Sequence, residues 1–67
     1  MKLWIARDDD GSLWLYNMEP CKNKNLKRFT CTMDENGHWS EEYELDSNSF
    51  PEVTFENSPQ QVEIKLI

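Results

Sequence analysis

Residues 3–16, which read Leu-Trp-Ile-Ala-Arg-Asp-Asp-Asp-Gly-Ser-Leu-Trp-Leu-Tyr, decide the fold of this 67-residue chain. Apolar and aromatic residues alternate on both sides of Asp-Asp-Asp-Gly, the period of two that is typical of paired strands. A three-residue loop at 9–11 aligns Ile5 with Leu15 and Ala6 with Trp14. A one-residue slip would instead mix aliphatic and aromatic side chains on each face of the hairpin. We therefore predict a β-hairpin in which Gly11 adopts a positive φ.

This register gives the hairpin two apolar faces. The aliphatic face consists of Leu3, Ile5, Leu13 and Leu15. The mainly aromatic face consists of Trp4, Ala6, Trp14 and Tyr16. A strand pair that is apolar on both sides indicates either a central place in a sheet or an aromatic surface exposed to a partner. The sequence leaves both interpretations open.

The length and charge of the chain restrict its function. A chain of 67 residues forms one domain, residues 1–67, and buries only about 60% of its surface on folding. Its eight aromatic residues (three Trp, two Tyr, three Phe) suit one small core and leave no material for a second. Thirteen acidic and seven basic residues give a net charge of −6, which disfavours phosphate backbones and favours a basic protein partner.

The sequence has neither an apolar run of 18 residues nor a basic segment followed by an apolar leader. We therefore expect a cytoplasmic protein in which Cys21 and Cys31 are reduced thiols, each packed as a small, partly buried hydrophobic residue. A disulfide between them is the alternative, because small domains often need a covalent cross-link to stabilise their fold.

A second hairpin is predicted over residues 29–45. A three-residue loop at 35–37 repeats the first turn and predicts the pairs Met33–Trp39, Cys31–Glu41 and Phe29–Tyr43. The pattern then gives one solvent-exposed polar face and one mainly apolar face. The mainly apolar face consists of Phe29, Cys31, Met33, Trp39, Tyr43 and Leu45. Residues 17–20 end the first hairpin, and residues 21–28, which follow, are predicted to form a polar loop rich in lysine.

The last third of the chain predicts two more strands. Residues 46–49 form a break, and Ser47 or Ser49 is placed to cap one helical turn over 50–52. Residues 53–56 and 61–67 alternate again and predict the pairs Phe55–Val62 and Val53–Ile64. The expected fold is all-β: a small antiparallel sheet of five or six strands in hairpins, rolled into a half-open barrel or sandwich, with at most one short helical turn.

Acidic residues dominate the second hairpin. We expect a protein partner with a basic surface to bind there, with an aromatic residue as anchor, and the predicted partner-binding residues are Asp34, Glu35, Trp39, Glu41, Glu42, Glu44 and Asp46. The alternative is binding of single-stranded nucleic acid by the basic loop and the aromatic face, through Lys22, Lys24, Lys27, Arg28, Trp4 and Trp14.

No motif predicts catalysis, a cofactor or a metal. The spacing of Cys21, Cys31 and His38 lacks the short paired spacing of zinc sites. His38 and Ser40 point the same way on a strand, but nothing supplies an orienting group or an oxyanion hole. We therefore predict a binding protein and not an enzyme, as a monomer or as a weak homodimer joined through Ile64 and Leu66 on the last strand.

Three stretches, residues 1–8, Gly11 with residues 13–16, and residues 50–59, resemble small β-proteins of no established function that are carried by phages and mobile elements of gut bacteria. The resemblance covers about half the chain. It implies a small β-protein, and it favours a phage-borne protein that binds a host protein, including an inhibitor of a bacterial defence system.

Overall fold

The computed structural model describes residues 2–63, which form six strands and no helix. The strands are β1 (Lys2–Arg7), β2 (Leu13–Tyr16), β3 (Cys21–Asn23), β4 (Arg28–Thr30), β5 (Glu42–Leu45) and β6 (Gln60–Glu63). Four of them form an antiparallel sheet in the order β5-β2-β1-β6, and β3 and β4 form a second sheet. The predicted all-β class is confirmed, and the sheets do not close into a barrel.

The first hairpin has the predicted register, with Ile5 opposite Leu15 and Ala6 opposite Trp14. Its loop closes through two backbone hydrogen bonds, from the Asp8 N–H to the Ser12 carbonyl and from the Gly11 N–H to the Asp8 carbonyl, both 2.9 Å. Gly11 has a φ of +96°, as predicted. The two strands of this hairpin occupy the centre of the four-stranded sheet, which explains why both of their faces are apolar.

Each face of the central hairpin carries its own hydrophobic cluster. The aliphatic cluster is built on Ile5, Leu13 and Val53, with Leu15, Leu45 and Val62 packed against it. The aromatic cluster is built on Ala6, Tyr16 and Phe29, with Trp4, Trp14, Cys31 and Phe55 packed against it. The prediction of a single core is therefore wrong, because loop and strand residues from the rest of the chain cover both faces of the sheet.

The predicted polar loop is also wrong, since its residues form the β3–β4 hairpin with Lys22 opposite Phe29. Two hydrogen bonds join this hairpin to the first turn: the Phe29 N–H donates to Asp8 Oδ1 at 2.8 Å, and the Asp9 N–H donates to the Lys27 carbonyl at 3.0 Å. Phe29 thereby enters the aromatic cluster and brings the lysine-rich hairpin onto the sheet.

The second predicted hairpin exists only next to its turn. Met33 and Trp39 form the predicted pair as an isolated bridge, and the turn closes through the Asp34 N–H and the His38 carbonyl at 2.9 Å. The Ser40 N–H still donates to the Thr32 carbonyl at 2.8 Å, and beyond these two residues the arms separate. The predicted pairs Cys31–Glu41 and Phe29–Tyr43 are wrong.

Long-range pairing explains the separation. Phe29 pairs with Lys22, whereas Tyr43 pairs with Leu15 on the outer edge of β2. This arrangement places Leu45 in the aliphatic cluster and Phe29 in the aromatic one, and burial of their apolar surface there favours the long-range pairing. The single mainly apolar face predicted for this hairpin is therefore wrong.

Residues 53–56 are not a strand, and the Phe55–Val62 pair is wrong because Val62 pairs with Leu3. Thr54 and Asn57 exchange side-chain-to-backbone hydrogen bonds of 2.8 and 3.2 Å, which replace a ladder. The predicted helical turn is a simple turn closed by the Val53 N–H and the Phe50 carbonyl at 2.9 Å. The predictions for residues 64–67, including the Val53–Ile64 pair and a dimer through Ile64 and Leu66, lie outside the described residues.

Asp8 provides the first test of the junction between the sheets. Replacing it with alanine removes the acceptor of the Phe29 N–H, so we expect a loss of about 1–3 kcal/mol in the free energy of unfolding. Burial raises the pKa of the Asp8 carboxyl, so the carboxylate is disfavoured in the folded state. Asp8→Asn keeps the acceptor without the charge, and we expect it to be at least as stable as the wild type at pH 7.

The sign of the pH dependence follows from that raised pKa. A group whose pKa is higher in the folded state adds stability that is complete below its unfolded pKa and is lost as the pH rises. The wild type should therefore gain stability relative to Asp8→Asn as the pH falls from 7 towards 4. Urea unfolding of the three proteins at several pH values measures this. An Asn variant as unstable as the Ala variant would contradict the assignment.

Candidate interaction surface

Four of the seven predicted partner-binding residues lie on β5, at one edge of the four-stranded sheet, or in the segment directly before it. Trp39, Glu41, Glu42, Tyr43 and Glu44 are all exposed, and we call these five residues the acidic edge. Only Ser40 interrupts the run; it is buried, and its Oγ accepts the Thr32 N–H at 3.1 Å. The acidic edge therefore combines two aromatic side chains with three carboxylates on adjoining positions.

Glu42 and Glu44 are placed by the pairing of β5 with β2, where they lie opposite Tyr16 and Trp14. Their side chains consequently share the aromatic-cluster side of the sheet, while Tyr43 lies opposite Leu15 on the aliphatic side. Both glutamates are exposed. The strand geometry therefore directs the two carboxylates to the same side of the sheet.

Trp39 is the most exposed large hydrophobic residue of the described chain, with 64% of its surface accessible. It pairs with Met33, which is 50% exposed. The flanking hydrogen bonds, Asp34–His38 and Ser40–Thr32, make this a non-hydrogen-bonded pair, the kind in which side chains approach most closely. An indole and a thioether therefore stand together at one end of the acidic edge.

Tyr43 and Glu41 are joined by a hydrogen bond of 2.6 Å from the phenol to Glu41 Oε2. Tyr43 is 55% exposed, although the sequence pattern places it on an apolar face. The nearby carboxylate, first as a hydrogen-bond acceptor and then through its charge, raises the pKa of the Tyr43 phenol above its usual value. At neutral pH the edge thus presents a neutral phenol held by a carboxylate.

This hydrogen bond predicts a measurable titration. Glu41→Gln removes the charge and should bring the pKa of Tyr43 back towards its ordinary value, which ultraviolet absorbance of the phenolate follows. Tyr16, the other tyrosine, is buried, and burial strongly raises the pKa of its phenol, so we expect Tyr43 to ionise first. If Tyr43 ionises at the same pH in the wild type and in Glu41→Gln, the hydrogen bond between Tyr43 and Glu41 does not exist in solution.

The remaining predicted acids lie in the flanking turns. Asp34 Oδ1 accepts the N–H groups of Asn36 and His38 at 2.8 and 2.9 Å, so this carboxylate builds the turn. Asp46 Oδ1 similarly accepts the Asn48 N–H at 2.8 Å after β5. Glu35 is exposed in the loop at 35–37. These acids add negative charge on both sides of the acidic edge and shape the chain that enters and leaves it.

The basic residues of the alternative site collect around the β3–β4 hairpin. Lys22, Lys24 and Lys27 line an open cleft of about 440 Å³ together with Phe55. The Lys22 ammonium lies 4.9 Å from the centroid of the Phe55 ring and donates to the Glu56 carbonyl at 3.2 Å. Its charge is therefore already engaged within the protein.

Arg28 lies apart from this cleft, in a groove that Lys27 and Trp14 also line. Trp4 and Trp14 are partly buried and pack against the aromatic cluster, in which Tyr16 is buried. The Trp14 indole N–H donates to Ser12 Oγ at 3.2 Å. The aromatic face is thus core, and the central hairpin offers no open platform of stacked rings.

Cys21 lies opposite Thr30, the residue directly before Cys31, in the β3–β4 hairpin. Cys21 is an exposed free thiol and Cys31 a half-buried one, so the prediction of a partly buried cysteine is wrong for Cys21 and confirmed for Cys31. His38 is exposed, with Nδ1 3.6 Å from Asp34 Oδ2, while Ser40 is buried. Between Lys2 and Glu63, no three Cys, His, Asp or Glu side chains are grouped to hold a metal ion.

Residues 2–63 contain no helix long and apolar enough to cross a membrane. Comparison of the chain with protein-family models, with curated proteins and with solved structures gives no significant match.

Proposed function

We propose that this protein is a small binding module that presents its acidic edge to a basic surface of a partner protein. The observation that carries the proposal is the exposure of Trp39 and Tyr43 beside three exposed glutamates, in a chain whose other Trp and Tyr residues pack into a cluster. Trp and Tyr are enriched among the residues that dominate binding energy at interfaces. The surrounding carboxylates steer and select a partner of opposite charge.

The resemblance of both ends of the chain to small phage-borne β-proteins adds a biological setting to the proposal. We propose a host protein as the partner and inhibition of that protein, in the cytoplasm, as the role. A basic surface built to hold nucleic acid suits an acidic inhibitor, because its carboxylates compete with phosphates for the same cationic groups.

A second candidate function is binding of single-stranded nucleic acid by the β3–β4 hairpin. The lysine-lined cleft beside Phe55 favours it, since cationic side chains and an aromatic ring are the elements of such sites. The packing of Trp4 and Trp14 into the aromatic cluster and the net charge of −6 weigh against it.

Affinity capture with the tagged protein from lysate of the native host, with and without nuclease, separates the two. We expect a basic protein that stays bound after nuclease treatment. Loss of all bound material on nuclease treatment would replace the acidic edge with the lysine cleft as the functional site. Absence of any bound protein or nucleic acid would reject both candidates.

A further inference from the structure

The hydrogen-bonding pattern shows which backbone groups of β5 face away from the sheet. The Asn17 N–H donates to the Glu41 carbonyl at 3.3 Å, and these two residues continue the β2–β5 register. They occupy a hydrogen-bonded position of the ladder, where the Glu41 N–H donates to Asn17 Oδ1 at 2.8 Å instead of to the Asn17 carbonyl. Hydrogen-bonded and non-hydrogen-bonded positions alternate along an antiparallel ladder. Tyr43 therefore bonds to β2, whereas the N–H and C=O groups of Glu42 and Glu44 point outward.

The first hairpin leads independently to the same orientation. The Asp8–Ser12 hydrogen bond continues the β1–β2 register, so the backbone groups of Trp14 bond to β1. Trp14 therefore has no backbone N–H or C=O group left to bond to Glu44, which lies opposite it on β5. Since β5 ends the order β5-β2-β1-β6 over residues 2–63, Glu42 and Glu44 present two donors and two acceptors at this edge of the described sheet.

The side chains of this edge specify the sequence of an added strand. Glu42 and Glu44 share one face and Tyr43 lies on the other, so a strand beside them places basic residues opposite the glutamates and an apolar residue opposite the tyrosine. A second copy of β5 is disfavoured, because antiparallel pairing sets Glu42 against Glu44 and like charges on facing residues repel.

We propose that β5 binds an extended segment of the partner by strand addition, and that this segment has the pattern basic-apolar-basic. The inference rests on the proposed function and names the partner's conformation. Main-chain hydrogen bonds then supply affinity, and alternate side chains supply specificity.

The probe is a capped heptapeptide of sequence Thr-Lys-Val-Lys-Val-Lys-Thr, and the measurement is amide hydrogen exchange of the isotopically labelled protein by NMR. Saturating peptide should slow exchange of the Glu42 and Glu44 N–H groups by at least about tenfold, because exchange then requires the added strand to leave. The Tyr43 N–H, already bonded to β2, should change little. The same peptide with glutamate in place of lysine is the control and should not bind.

Two variants separate backbone pairing from charge. Glu44→Pro removes an outward N–H at an edge position that tolerates proline, while Glu44→Ala removes the carboxylate alone. We expect the proline variant to bind the lysine peptide at least about tenfold more weakly than the alanine variant, a difference of about 1.4 kcal/mol. Hydrogen exchange at Tyr43 checks that both variants keep the β2–β5 ladder.

Strand addition is overturned if the lysine peptide fails to bind at millimolar concentration, if it binds without slowing exchange at Glu42 and Glu44, or if the two variants bind equally. These outcomes differ from failure of the proposed function. A captured basic protein that the proline and alanine variants retain equally rejects strand addition and leaves the binding function intact, whereas absence of any captured protein rejects the function itself.

Discussion

Replacement of Arg7 by methionine is expected to cost at least about 3 kcal/mol of unfolding free energy, which is a large part of the roughly 3–10 kcal/mol that a domain of this size has. Arg7 lies at the end of β1, and its guanidinium donates to five main-chain carbonyls. The acceptors and distances are Val53 at 2.6 Å, Gly11 at 2.7 Å, Ser47 and Ser49 at 2.9 Å, and Phe50 at 3.1 Å.

Four of these bonds hold the segment 47–53 on the central hairpin, and the fifth, to Gly11, lies within that hairpin. That segment contains no strand or helix, and it delivers Val53, which is 1% exposed, to the aliphatic cluster. Hydrogen bonds to a charged donor contribute about 1.5–3 kcal/mol each when isolated, and less when several share one side chain. Loss of the guanidinium should therefore release the segment and open the aliphatic cluster to water.

Thermal unfolding followed by circular dichroism measures the effect, and we expect the melting temperature of Arg7→Met to fall by at least about 12 °C. Arg7→Lys is the matched control, because it keeps the positive charge and loses the planar guanidinium with its five N–H donors. It should recover less than half of the lost stability. A methionine variant that melts within about 2 °C of the wild type would show that the five bonds contribute little.

Replacement of Trp39 by alanine is expected to abolish capture of the partner while leaving the fold intact. The side chain is 64% exposed, so its removal should change the unfolding free energy by no more than about 0.5 kcal/mol. As an anchor in a desolvated interface it should contribute at least about 2 kcal/mol, or about 30-fold in the dissociation constant.

Leu26→Ala is the control for Trp39→Ala. Leu26 is a large hydrophobic residue of nearly equal exposure, 62%, in the turn between β3 and β4. Truncation there should leave capture unchanged. If Leu26→Ala rather than Trp39→Ala releases the partner, the interface lies on the lysine-rich hairpin and the acidic edge is ordinary surface.

The sequence predicts the central hairpin well because the necessary information is local. Alternation on both sides of one turn fixes the Ile5–Leu15 register, and Gly11 permits the backbone conformation that the turn requires. The same alternation fails for residues 29–45. That pattern is compatible both with a local hairpin and with long-range pairing to another strand. The structure has the second, because β5 pairs with the outer edge of β2.

The candidate site shows the same division between local and long-range information. Charge alone identifies the glutamates of the acidic edge, but the exposure of Tyr43 depends on β5 pairing with β2 instead of with residues 29–33. The sequence identifies Arg7 only as a strand residue, because its role depends on the path of residues 47–53 across the sheet. No local pattern reports that path.

A pair of double charge reversals tests most directly the claim that the acidic edge binds the partner. Glu42→Lys with Glu44→Lys changes the edge, while Glu19→Lys with Glu52→Lys reverses two exposed acids elsewhere. Both change the net charge from −6 to −2, since each substitution adds two charges. In nuclease-treated capture from host lysate, we predict that the first variant loses the basic partner and the second retains it. Equal retention by both variants, or loss by both, would contradict the account.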